Sequence, residues 1–288
     1  MKRKEYLWAY LFIAAPILGF MLFAFIPLSY SVYVSFTEYS GYKAPVFSGG
    51  DNYVKLVKDE LFWKTLFNTF YSALSIPIGV VVALGIATAL NQKIRGIGFF
   101  RTLFFLPAIS SVIALTLLWK WIFNDTYGLL NNLLEQVGII GPAWLSSEQW
   151  AMPAMIIQGV WVGLGINIVL YLAALQGVPK SFYEASEIDG ANRWQQFRHI
   201  TVPCISPTTL YILITATIAA LQDYPRFQIM TEGGPNYSTT TIVYYLFQNA
   251  FRYMNMSYAS AMAWILGMII LIITLLNFYL SRRWVHYE

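Results

Sequence analysis

Six long, predominantly apolar stretches of this chain contain no Asp, Glu, Lys or Arg: Tyr6–Thr37, Thr65–Gln92, Thr102–Trp119, Gln149–Pro179, His199–Gln222 and Tyr253–Ser281. A membrane-spanning helix needs about 20 predominantly apolar residues, and five of the six runs reach that length. Thr102–Trp119 is slightly short, but Arg101 and Lys120 flank it and their long side chains can snorkel to the two interfaces. In lipid every backbone polar group must pair internally, which leaves helices or closed barrels. The runs are continuous, unlike the short alternating strands of a barrel. The expected fold class is therefore all-α, a polytopic membrane protein with six transmembrane helices. Composition points the same way: the 288 residues are 58% hydrophobic and only 11% charged, where a soluble domain carries about 25%.

The opening "MKRKEYLWAYLFIAAPILGF" has the basic start of a signal peptide. Its apolar run, however, continues to Phe36 with no small-residue cleavage site, so it reads as an uncleaved first span. Gly233–Phe251 opens with "GGPNYSTTT", too polar to face lipid, and reads as a loop leading into a membrane-surface helix. The single Cys204 excludes an internal disulfide. It reads as a small packing residue, and no Cys/His cluster of metal-site spacing is present.

Six spans place both termini on one side. On that side fall Lys2, Arg3, Lys4, Lys93, Arg95, Arg101, Lys180, Arg193, Arg198, Arg282 and Arg283, eleven of the 18 Lys and Arg. Of the 14 acids, Glu5, Glu184, Glu187, Asp189 and Glu288 fall there and nine fall opposite. Basic residues accumulate on the cytoplasmic side of membrane proteins. Both termini and the segment from Lys180 to His199 are thus expected inside the cell. The net charge of +4 then reflects topology and calls for no nucleic-acid partner. Trp119, Trp121, Trp144 and Trp150 are expected at the outer interface, with Trp8, Trp194 and Trp284 at the inner one.

The inner segment "KSFYEASEIDGANRWQQFRHITVPCISP" is dense in polar residues between two spans that avoid charge. Pro179 ends the preceding span. Ser181 and Glu184 have capping-box spacing, predicting a helix over about 182–189, and Gly190 is a natural stop. A second helical stretch is expected over 191–200. Two readings stand at this point: a solvated turn, or a surface shaped for a partner's groove.

"YEASEIDGANRWQQFRHITVP" resembles the EAA loop of binding-protein-dependent ABC importer permeases. It carries Glu184, Ala185, Gly190, Ile200 and Pro203, with Ser186 and Val202 replacing the usual Ala and Leu. "MTEGGPNYSTTTIVYYLFQNAF" followed by "YASAMAWIL" is similar to the corresponding segment of carbohydrate permeases of the maltose and glycerol-phosphate type. The resemblance implies a type I ABC importer fold, with one transmembrane permease domain filling residues 1–288 and a cytoplasmic coupling loop at about 177–204. It also implies a bacterial cytoplasmic-membrane location and four kinds of macromolecular and small-molecule partner besides membrane lipid: a second homologous permease, two ABC ATPases, an extracytoplasmic solute-binding protein and a carbohydrate. Tyr183, Glu184, Ala185, Ser186, Asp189 and Gly190 would form the ATPase-coupling helix. No G-x-x-x-x-G-K-[ST] phosphate loop and no nucleophile elbow occurs. The chain is expected to be no enzyme and to bind no cofactor, ATP and magnesium belonging to the partner subunits.

Polar groups inside spans are costly and therefore functional candidates. The fourth run holds Gln158, Trp161 and Asn167; the fifth ends at Gln222, with Asp223 immediately after it. Asp223 has two readings, a substrate contact or an interfacial ion pair with Arg226. Gly163 and Gly165 have two as well, pathway lining or helix packing. In the similar maltose permeases the sugar contacts, carried over to this sequence, fall on Gly163, Ile166, Ala219, Ala220 and Asp223. Ala219 and Ala220 stand where that site has polar or aromatic side chains. Trp161, Gln222 and Asp223 would then supply the contacts, with Asn167 a further polar candidate along the pathway. The alternative class is a self-sufficient secondary transporter or channel, which would usually show buried ionisable residues in several spans.

Overall fold

The structure is a computed structural model describing residues 2–92 and 96–286; Lys93, Arg95 and Glu288, used in the topology count, lie outside them. In chain order the helices are α1 (Lys2–Phe20), α2 (Ile26–Ser35), α3 (Asp51–Lys58), α4 (Glu60–Ser72), α5 (Ser75–Leu90), α6 (Ile97–Ile109), α7 (Val112–Ile122), α8 (Leu129–Gln136), α9 (Ala151–Gly177), α10 (Lys180–Ile188), α11 (Arg193–Gln196), α12 (Val202–Cys204), α13 (Ser206–Leu221), α14 (Pro225–Thr231), α15 (Ile242–Phe247) and α16 (Met256–Ser281). One small antiparallel ladder, β1 (Thr37–Glu38) with β2 (Val46–Phe47), is the only sheet among the described residues.

The all-α membrane architecture is as expected, but two of the six runs are broken. Tyr10–Ser35, Glu60–Leu90, Ala151–Gly177 and Met256–Ser281 are each long and apolar enough to cross a membrane. The third run is a pair, Gly98–Ile109 and Val112–Ile122, bent by 105°. Pro107 lies in the last turn of α6, and Ser110 and Ser111 are extended, with ψ 153° and 128°. The fifth run is also a pair: Arg193–Cys204 meets Ser206–Leu221 at 62°. Pro203 and Pro207 flank that bend, and each removes a backbone donor from the ladder that would hold the helix straight.

The contacts gather the chain into two units. The first comprises residues 2–62 and Tyr245–Gly267. At the end of its first span Asn52 donates to the carbonyls of Ser35 at 2.9 Å and Thr37 at 2.8 Å, satisfying backbone acceptors that a helix terminus leaves open. Asp59 accepts the hydroxyls of Tyr245 and Tyr258, and its second oxygen takes the Leu61 amide. Burial, and then the Asp59 carboxylate, push the Tyr245 phenol up to about 12, so it stays a proton donor at physiological pH. Farther along, the Trp264 indole N–H donates to Ser31 at 3.2 Å.

The second unit comprises residues 63–244 and 268–286. Its core is set by Ser75, Gly79, Ala83 and Ala87, a buried stripe at four-residue spacing on α5. Small residues at that spacing let helices approach closely where no hydrophobic drive separates helix from lipid. Leu164, Ile168, Tyr171, Leu172 and Leu175 of α9 and Ile212 of α13 share this core, and Tyr183, Ile200 and Cys204 pack against it. A second cluster joins Phe123, Met152, Met155, Phe227 and Met230 to Trp144. Trp144 is therefore a core residue with its N–H on Asn131 at 2.7 Å, not a member of the interfacial belt expected from sequence.

The segment after α14 also differs from expectation. Asn68 donates to the carbonyls of Tyr237 and Thr240, Lys64 to Asn236, and Thr69 accepts the Ile242 amide. These α4 side chains hold the polar loop, and Thr239, Thr240, Thr241, Ile242 and Tyr244 are buried. The segment is packed protein and not a helix lying on the membrane surface. Threonines within the spans, such as Thr88, Thr116 and Thr217, return their hydroxyls to carbonyls one turn back, which satisfies them without a partner helix.

Candidate functional site

The polar segment between α9 and α13 forms two short helices around a tight turn. α10 starts at Lys180 with Pro179 at its N-cap, and no side chain caps it. The Ser181–Glu184 box expected from sequence is thus not formed, because the helix begins before Ser181 and leaves that side chain inside the first turn. At the other end the Ala191 amide bonds the Ser186 carbonyl at 2.9 Å, and the Gly190 amide bonds Glu187 at 3.1 Å. This paired closure is the Schellman arrangement, and it needs a left-handed residue. Gly190 supplies it with φ +79°. The capping box lies on the second helix instead. Asn192 Oδ1 accepts the Gln195 amide at 2.9 Å, and Gln195 Oε1 accepts the Asn192 amide at 2.8 Å.

Ser186, which departs from the usual alanine, links the two helices. Its hydroxyl donates to the Tyr183 carbonyl at 2.7 Å and accepts from Gln196 Nε2 at 3.1 Å. Tyr183 in turn meets the Thr201 hydroxyl at 2.9 Å, while its ring packs on the second unit's core. The loop is therefore braced to the bundle, and its other face is open. Glu184, Ala185 and Asp189 are exposed, beside Phe182 at 44% and Ile188 at 87% exposure. Ser186, Asp189 and Gly190 join Gln195, Gln196 and His199 around a concavity of about 310 Å³. All six sequence-proposed coupling residues are brought together here. Trp194, stacked on Phe197 at 5.7 Å, adds an exposed aromatic face that the sequence reading assigned only to the interface belt. Ser186→Ala is expected to leave the protein folded, because alanine suits a helix, but to loosen α10 from α11. Hydrogen exchange of the Gln195 and Gln196 amides should rise by several-fold, the loss of one hydrogen bond of about 1 kcal/mol.

The proposed pathway residues are more dispersed. Trp161, Gly163, Ile166 and Asn167 lie on α9, with Ile166 exposed and the others half-buried. Trp161 meets Trp119 edge-on at 5.4 Å. The two glycines separate cleanly. A Cβ on Gly165 would come 2.8 Å from the Phe104 carbonyl, whereas one on Gly163 would meet only Asn167, at 3.8 Å. Gly165 is the packing glycine, the place where α6 crosses α9. Gln158 is fully buried and its amide has no partner among the described residues.

Ala219 and Gln222 are exposed at the end of α13, with Ala220 half-buried. Asp223 accepts Arg226 Nε at 2.7 Å, the ion pair that one sequence reading anticipated. Arg226 reaches further than anticipated: it is buried, its Nη1 donates to the Met155 carbonyl on α9 at 2.9 Å, and a Cβ on Gly159 would collide with it. This tie draws the end of α13 to α9. The spacing Asp223–Arg226 was visible in the sequence, but the third partner, a backbone carbonyl 71 positions away, leaves no sequence signal.

The chain is similar to known proteins along its length. A model of the binding-protein-dependent transport system inner membrane component family matches residues 75–286. A probable ABC transporter permease, YesP of Bacillus subtilis, is 39% identical over 99% of this chain and 94% of its own length. The lactose transport system permease LacF of Rhizobium radiobacter is 37% identical over 98% and 97%. The solved bacterial alginate ABC transporter, in complex with alginate pentasaccharide-bound periplasmic protein, contains a chain 25% identical to this one. That chain superposes with a TM-score of 0.83 over 98% of this chain and 96% of its own. The fold is thus that of an ABC importer permease, and this chain belongs to the binding-protein-dependent transport system inner membrane components.

Proposed function

We propose that the chain is a transmembrane subunit of an ATP-driven importer of di- or oligosaccharides, forming half of a translocation channel as one permease domain. The observation that carries this is the braced inner loop. A helix that spends a Schellman turn, a capping box and a tyrosine strut on rigidity, yet leaves Phe182, Glu184 and Ile188 open, is built to be gripped. Relatives named for lactose and for starch degradation products, and the alginate pentasaccharide complex, support a carbohydrate cargo.

The assembly would comprise a second permease, two cytoplasmic ABC ATPases and an extracytoplasmic solute-binding protein. Glu184 would offer its carboxylate to the ATPase. Movement of the ATPases would push α10 and, through Tyr183 and Thr201, the base of α13. The spans would then rock about a central site, the general solution of alternating-access transporters. Trp161 would present an aromatic face to a sugar, and Asn167, Gln222 and the free oxygen of Asp223 hydrogen-bonding groups. ATP hydrolysis resides in the ATPases, and this chain binds no cofactor of its own. Both termini and the loop face the cytoplasm, by the bias of Lys and Arg.

The test is reconstitution in liposomes. Uptake of radiolabelled lactose or maltooligosaccharide should require this chain, its permease partner, the ATPases, the binding protein and ATP together. Sugar flux through the chain alone would overturn the assignment in favour of a self-sufficient transporter.

A further inference from the structure

The second unit contains a cleft that the transport reading does not use. It lies between α6 and α9, has a volume of about 220 Å³, and is walled by apolar side chains including Phe104, Phe105, Val169 and Ala173. Only two of its lining residues are polar, Arg101 and Gln176. Both sit toward one end. Arg101 lies early in α6, and Gln176 lies in the last turn of α9, next to the inner loop. At the other end Gly165 brings α9 against the Phe104 carbonyl, which closes the cleft. Arg101 is exposed, and among the described residues the only salt bridge is that of Arg226 with Asp223. An unpaired guanidinium thus stands at the mouth of an apolar slot that opens beside the inner interface.

We propose that this cleft holds an anionic phospholipid of the inner leaflet, its phosphate on Arg101 and one acyl chain along Phe105, Val169 and Ala173. The proposal rests on the cytoplasmic placement of the loop argued above. A sugar does not suit the slot, whose walls offer almost no hydrogen-bonding groups. An amphiphile does, because polar and apolar residues are segregated end to end. Guanidinium binds phosphate oxygens through paired charge-assisted hydrogen bonds. The acyl chain gains nothing from the transfer, since bilayer and cleft are equally apolar. Selectivity must therefore come from the headgroup, and one cation at the surface corresponds to about a five-fold preference for an anionic over a zwitterionic lipid.

The complete transporter, purified in mild detergent, would be exchanged into mixtures of phosphatidylglycerol and phosphatidylethanolamine and weighed by native mass spectrometry. Wild type should retain phosphatidylglycerol about five-fold over phosphatidylethanolamine, and Arg101→Gln should abolish the preference. Ala173→Trp, which fills the slot, should remove the lipid altogether. Equal retention in wild type and both variants overturns the proposal. So does a photo-crosslinker at Phe105 that captures the second permease and no lipid. Arg101→Cys separates this failure from failure of the topology. Labelling by a membrane-impermeant maleimide added outside right-side-out vesicles would overturn both, whereas protection without lipid retention rejects the lipid site alone.

Discussion

Glu184→Lys is expected to insert normally and to abolish coupled uptake. Glu184 is exposed on α10, and among the described residues its side chain makes no hydrogen bond or ion pair that a lysine would disturb. On the proposed docking, reversing its charge would turn an attraction at the ATPase surface into a repulsion. Losing one partner of a desolvated interfacial charge pair costs about 2–5 kcal/mol, and about 1.4 kcal/mol is a tenfold change in affinity. Docking should weaken by roughly 100-fold, read as loss of the ATPase from the purified complex and of uptake from liposomes, with membrane insertion unchanged. Gly190→Val should reach the same endpoint by a different route. At φ +79° a β-branched residue is a backbone outlier, so the turn opens and α11 leaves its place beside Ser186. Normal ATP-driven uptake by either variant would show that this loop is not the docking element.

Arg226→Met is expected to be strongly destabilising. It strands the half-buried Asp223 carboxylate and frees the Met155 carbonyl. Removing one member of a buried ion pair costs about 3–5 kcal/mol, whereas replacing the pair by apolar groups of similar volume is often near neutral. The double variant Asp223→Leu, Arg226→Met should therefore melt above Arg226→Met in a thermal scan of the detergent-purified protein. Its uptake should nonetheless stay low if Asp223 contacts sugar. A double variant no more stable than the single one would mean that Arg226 acts through Met155 and Phe227, over whose ring its guanidinium sits at 5.0 Å, and not through the acid.

The spans were legible because avoiding charge over some 20 residues has one physical meaning in water and lipid. The breaks were less so. Pro107 and the Ser110–Ser111 pair announced a discontinuity in the third run, yet a hydropathy profile averages across it. In the inner loop, Gly190 was readable from the turn it had to make. The capping box was misplaced because Ser181-x-x-Glu184 and Asn192-x-x-Gln195 both have the right spacing, and only the helix start decides between them. Trp144 was assigned to the interface by its position in the chain. It is buried because Asn131, thirteen residues earlier, folds back to accept its indole N–H, a pairing no local pattern encodes. The Arg226–Met155 tie was illegible for the same reason.

The inner loop closes on itself. The amides of Asp189, Gly190, Ala191, Asn192, Gln195 and Gln196 all find acceptors within the stretch from Ala185 to Gln195.

 None of these groups waits for a visitor to satisfy it. A partner that docks on the loop, as proposed, could therefore release it and seat it again without the loop melting in between. On that reading a gripped loop differs from a free one in its side-chain surface, Phe182, Glu184 and Ile188 with their exposed neighbours, and not in its backbone.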